Sequence, residues 1–177
     1  MKQLAEHNKT KLIDLLCERL AFEREGVRLY DSILAKLDAT PGGGSVGAFR
    51  DELQTFRDQE KEHEEWLEQQ IRDLGGDTNV KTEMAQLVER ESQGIDQVVT
   101  TDDLLPHVMH AMLTAELVDN AGWELLIELA DDADDKEARA EFRKRLHEEE
   151  DHLIFVRTAM LAFTRKDVLG YERRIGG

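Results

Sequence analysis

Apolar residues recur every three or four positions along four long stretches of this chain, the spacing of one face of a helix. The first stretch, from about Lys11 to Leu37, aligns Ile13, Leu16, Leu20, Glu23, Val27, Tyr30, Leu34 and Leu37. The second, from Ser45 to Leu74, aligns Val46, Phe49, Leu53, Phe56, Glu60, His63, Leu67 and Ile71. The third opens near Asp102-Asp103 with Pro106 in its first turn, and aligns Met109, Met112, Glu116, Asp119, Trp123, Leu126 and Ala130. The fourth, from about Lys136 to Phe163, aligns Phe142, Arg145, Glu149, His152, Val156, Ala159 and Phe163. Each stretch predicts a helix of roughly 40 Å at 1.5 Å per residue.

The joints differ in length. Thr40-Pro41-Gly42-Gly43-Gly44 stops the first helix, Ser45 is set to cap the second, and Ala130-Asp131-Asp132 ends the third. Short joints make the first and second helices antiparallel neighbours, and likewise the third and fourth. The joint between the second and third runs from Gly75 to Thr101 and carries a weaker amphipathic pattern in Met84, Leu87, Val88, Ile95 and Val98. A connector of that length can travel the length of a bundle. The expected fold is all-α: a four-helix bundle of the ferritin-like type, residues 1–164, with one long crossover between the second and third helices. Residues 165–177 read as a polar C-terminal tail. Composition agrees, because 35% charged residues and only 2 prolines in 177 suit long solvated helices and not a turn-rich β fold.

Every seam is apolar except near its middle, where carboxylates interrupt it. The first contributes Glu23 and the third Glu116 with Asp119, while the second and fourth contribute Glu60 with His63 and Glu149 with His152, each histidine one turn along on the same face. Ionised carboxylates cost several kcal/mol each to bury unpaired, and four at one depth repel one another. No lysine lies in the seams, and their one arginine, Arg145, sits a turn before Glu149. Two metal ions roughly 3.5–4 Å apart are the natural compensation. Oxygen and imidazole donors suit iron, manganese or zinc. Glutamates on two helices with Glu-x-x-His on the other two are the ligand pattern of dinuclear carboxylate bundles. Tyr30 and Trp123 follow Glu23 and Glu116 by seven residues each, so the two hairpins read as an internal repeat in which Gly26 occupies the slot of Asp119. Glu25, Glu62, Glu64, Glu65, Glu148 and Glu150 fall off the seams and read as solvated. His107 and His110 lie at a helix start and read as surface residues, and Cys17 reads as an ordinary thiol.

These motifs resemble the ferritin-like di-iron carboxylate superfamily, in particular its bacterioferritin and rubrerythrin branches, over roughly residues 11–163. The resemblance implies two iron ions, with Glu60 and Glu149 bridging them, Glu23 and Glu116 as terminal ligands, and His63 and His152 on one ion each. It implies an oxidoreductase that oxidises Fe(II) with oxygen or reduces peroxide, with an external electron donor in the second case. Tyr30 and Asp119 are the candidate catalytic residues beside the metal. The alternatives are iron storage in an assembled shell and oxygenation of an organic substrate. Lys61 stands where bacterioferritin has its haem-ligating methionine, so no haem is expected. A single cysteine leaves no rubredoxin-type site.

Net charge completes the expectations. With 39 acidic and 23 basic residues the chain carries −16, a poor surface for nucleic acid or an anionic membrane. No apolar run approaches the ~18 residues of a spanning helix, and the first residues lack the apolar core of a signal peptide. A cytoplasmic homo-oligomer is expected.

Overall fold

The computed structural model describes residues 1–39 and 47–170, all helical or in the joints between helices, with no strand among them. Six helices follow in order among these residues: α1 Lys2–Ala39, α2 Gly47–Asp73, α3 Glu83–Glu91, α4 Gln93–Thr101, α5 Leu105–Asp132 and α6 Lys136–Leu169. The protein is all-α. The glycine-rich joint at 40–44, the cap at Ser45, the seam position Val46 and the tail from 171 onward lie outside the described residues. Residues 165–169 continue α6, which ends at Gly170 in the left-handed conformation (φ 71°).

The first helix begins earlier than the periodicity predicts. Its opening turns are set off by Asn8, whose backbone is extended (φ −158°, ψ 84°) and whose side chain accepts the Lys11 N–H at 3.1 Å. That hydrogen bond is an N-cap, and the periodic seam starts just beyond it. The α6 start is capped by Asp135, which accepts from Ala138 N at 3.1 Å and also from the backbone N–H groups of Gln3 and Leu4. One carboxylate thus caps α6 and holds the opening turns of α1 against it.

Cross-helix ion pairs fix the directions. Arg50–Asp38, Arg57–Asp31 and Arg24–Glu68 step in opposite senses along α1 and α2, so the two are antiparallel. The pair α5 and α6 runs antiparallel as well, joined by Asn120 to the Glu149 carbonyl and Arg139 to Asp131. Arg19–Asp119 and Tyr30–Glu116 join α1 to α5, and His63–Glu148 joins α2 to α6. Between α2 and α5 the chain follows α1 in the same direction: Met84 N–H donates to Asp14, Arg28 pairs with Asp96, and Lys36 Nζ donates to the Asp102 carbonyl. The weak amphipathic pattern of this connector becomes α3 and α4, which bury Val88 and Val99.

The interior is divided. One apolar cluster gathers Leu29, Ile33, Leu53, Phe56, Met109, Met112 and Val156. The other gathers Leu16, Leu20, Leu67, Ile71, Trp123, Leu126 and Phe142. Between them lie the buried carboxylates and histidines of the four long helices.

Candidate metal centre

Glu23, Glu60, His63, Glu116, Asp119, Glu149 and His152 are all buried, and Glu149 and His152 are sealed completely. Each arrives from the middle of a long helix because its seam carries apolar residues on either side of it. The helix must therefore bury the polar step along with its flanks.

The centre is built around Glu149. One of its oxygens lies 2.8 Å from His63 Nδ1 and the other 3.0 Å from His152 Nδ1. Glu23 stands 3.4 Å from His63 Nδ1, and Glu60 stands 3.4 Å from His152 Nδ1. Glu60, Glu116, Glu149 and His152 each offer a donor atom within one small sphere, as do Glu23, His63 and Glu149, and also Glu23, Glu60, Asp119 and Glu149. Glu149 belongs to all three groups, and Glu23 and Glu60 belong to two each.

The inward donor atoms are largely without hydrogen-bond partners. Both oxygens of Glu23 and of Glu149, Glu116 Oε2, Asp119 Oδ2 and both Nδ1 atoms lack an aligned hydrogen-bond partner among the described residues. Buried polar atoms are paired in more than nine cases of ten. So many orphans converging on one spot fit cations: all are oxygen or imidazole nitrogen donors, and all face inward. The outward nitrogens, in contrast, are satisfied. His63 Nε2 meets Glu148 at 2.7 Å and His152 Nε2 meets Gln59 at 2.9 Å. Such partners fix the ring so that Nδ1 is the atom presented.

The electrostatics without a cation are those of an overfilled acidic site. Burial, then the charges of Glu149, Glu23 and Glu116, pushes Glu60 well above the carboxylate range. Burial lifts Glu116 to about 7 although His152 and the Tyr30 hydroxyl pull it down. Burial, then Glu149 and Glu23, raises Asp119 against the pull of Arg19. For His152 burial works downward, but Glu149 and Glu116 outweigh it and raise the ring to about 9. Burial works upward on Glu149, yet the two histidines beside it hold it below its ordinary value. Protons thus occupy the space between the carboxylates that cations would take.

Tyr30 is fully buried and donates to Glu116 Oε1 at 2.5 Å, so its hydroxyl touches the centre as expected. Asp119 pairs its carboxylate with Arg19, whose Nη1 also donates to the Asp119 carbonyl at 3.0 Å. Arg19 is buried beside it, and Gly122 lets it in: a Cβ there would lie 2.2 Å from the guanidinium carbon. Gly26 does the same for Glu60, whose Oε2 lies 2.2 Å from where a Cβ would stand.

Three residues escaped the sequence reading. Glu148 was assigned to the solvated face and instead holds His63. Gln59 holds His152. Arg19 lies outside the chosen seam, although Leu16, Arg19 and Glu23 keep a spacing of three and four just as Leu16, Leu20 and Glu23 do. His107 and His110 are exposed, and Glu62, Glu65 and Glu150 are exposed as expected. Arg145 is buried but turned away from the carboxylates, bonded to Glu141 and stacked on Trp66.

A narrow crevice reaches the carboxylates from the side where α4 crosses α1 and α5. Phe22, Gly26, Ile95 and Met112 line it, Glu60 and Asp119 floor it, and it leaves about 20 Å³ free, the room of roughly one water molecule. In comparisons with known protein families, curated proteins and solved structures, nothing matches this chain.

Proposed function

We propose that the protein is a ferritin-like four-helix bundle, its connector forming the long crossover, whose buried centre holds two iron ions and acts as an oxidoreductase. Glu149 carries the proposal: its two oxygens address two histidine nitrogens that lack hydrogen-bond partners and are locked from behind. Glu60 and Glu149 would be shared between the ions. Glu23 with His63 would complete one position, and Glu116 with His152 the other. Manganese or zinc fits the same donors.

Two iron ions bound there supply the electrons that reduce oxygen or peroxide. The chain supplies the rest. Glu148 and Gln59 keep each histidine in the tautomer that presents Nδ1. Tyr30 holds Glu116 in place through its hydroxyl. The apolar clusters above and below keep bulk water out. The crevice has room for roughly one water molecule, far less than an organic substrate needs.

Metal analysis combined with an Fe(II) titration under anaerobic conditions tests this reading. Wild-type protein should take up two equivalents, and Glu149→Ala at most one. Two equivalents in the variant, or none in the wild type, would overturn it. Exposed Leu117, Val118 and Leu125 on α5, with Ile154 and Leu161 on α6, support self-association. Sedimentation then separates a small oligomer from the large shell of a storage protein.

A further inference from the structure

The two histidines have unlike surroundings. Around His152 stand Tyr30 (ring centroids 5.9 Å apart) and Phe56 (4.3 Å), and Phe56 leads on to Phe155 and Phe49. Phenylalanine is not oxidised under ordinary conditions, so this side is a dead end. Around His63 stands Trp123 at 5.9 Å, and Trp66 follows at 6.3 Å. Trp123 is fully buried, whereas Trp66 is only partly buried and reaches the surface of α2. Both separations lie in the range of aromatic pairs in contact.

We propose that Trp123 and Trp66 form an electron relay between the centre and a one-electron donor at the surface. The relay rests on the iron reading above and adds the route by which reducing equivalents arrive. A peroxide reduced to two waters takes two electrons and two protons. Each electron would leave the Trp123 indole while peroxide, the oxidant, is held at the metal pair, because a resting ferric pair is too weak to oxidise indole. Trp66 returns an electron to Trp123. The donor then restores Trp66 and is itself oxidised by one. No bond breaks in the relay. The Trp123 indole N–H has no hydrogen-bond partner among the described residues, so the oxidised ring has no acceptor for its proton and the hole stays mobile. The Arg145 guanidinium lies 3.6 Å above the Trp66 ring. A cation there disfavours an oxidised Trp66, so the hole rests on the inner ring and the outer ring readily accepts an electron.

Two experiments test the relay. In the first, Fe(II)-loaded protein is mixed with hydrogen peroxide in the presence of reduced methyl viologen, too bulky for the crevice, and its return to the reduced state is followed. Trp66→Phe and Trp123→Phe should each slow re-reduction at least tenfold, and Arg145→Met should move the indolyl radical seen by electron paramagnetic resonance from Trp123 toward Trp66. Wild-type re-reduction in both tryptophan variants overturns the relay. The second uses metal-free protein and a bulky photo-oxidant, tris(bipyridine)ruthenium(III), followed by peptide mass spectrometry. Buried Trp123 should be oxygenated in the wild type and spared in Trp66→Phe. Equal oxygenation in both, or none in the wild type, overturns the relay even if the protein binds no iron. Failure to take up iron with a positive second experiment sinks the iron reading alone.

Discussion

Glycine at position 26 is a structural requirement of the neighbouring carboxylate. An alanine there would place its Cβ against Glu60 Oε2, the far end of a flexible side chain. The carboxylate can swing away, and alanine favours the helix by about 1 kcal/mol. Gly26→Ala should therefore melt near the wild-type temperature while its affinity for divalent metal falls about tenfold or more. Calorimetry and metal titration on the same sample read the two effects apart. Arg19 gives the opposite pattern. Removing it leaves Asp119 buried without its counter-charge, a loss of about 3–5 kcal/mol. Arg19→Met should lower the unfolding free energy of the metal-free protein by that order, and adding Asp119→Asn should restore part of it, a coupling that a double-mutant cycle measures. Additive losses would show that the two side chains do not depend on each other. The Arg19 interaction was legible only in part. A buried stripe wider than 100° contains more positions than one line of threes and fours can name, and which neighbours share it depends on the facing helix. Glu148 was illegible for the same reason, since its role exists only opposite His63 on α2.

Among the elements, the long helices follow their seams closely because each seam alternates between two apolar clusters and one charged layer. On α2, α5 and α6 every carboxylate and histidine of the seam is buried. The opening turns of α1 were not legible, because what secures them is Asp135, distant in sequence. Burial works to raise the Asp135 pKa, but the Met1 amino group and the N–H groups of Ala138 and Leu4 outweigh it and hold the value below the ordinary 3.8. A depressed carboxylate pKa stabilises the fold above the unfolded value, and that contribution is lost as pH falls through the folded one. Asp135→Ala should cost about 1 kcal/mol at neutral pH. The gap between variant and wild type should begin to narrow below about pH 3.8 and keep narrowing toward the lower pH at which folded Asp135 takes up its proton. Denaturant unfolding at pH 7 and pH 3 checks both parts, and a gap that stays constant would remove Asp135 from the acid response.

At the scale of the whole molecule, protons and metal compete for one space. Glu116 near 7 and His152 near 9 both hold protons at mildly acidic pH, and cation binding requires bare oxygen and nitrogen. Metal uptake should therefore release at least one proton at pH 6.5, and affinity should rise with pH through 7. Titration calorimetry in two buffers of different ionisation enthalpy measures the release, and identical heats would mean that the carboxylates are bare before metal arrives. Metal that binds only the folded chain also raises the melting temperature by mass action.

The division of the core has a consequence for how the centre comes into being. All four long helices contribute to the apolar clusters on either side of the charged layer, so the helices cannot assemble without setting the carboxylates face to face. The ligands are in place before an ion arrives. Association then carries little ordering entropy, and its speed is governed by passage through the crevice and departure of protons.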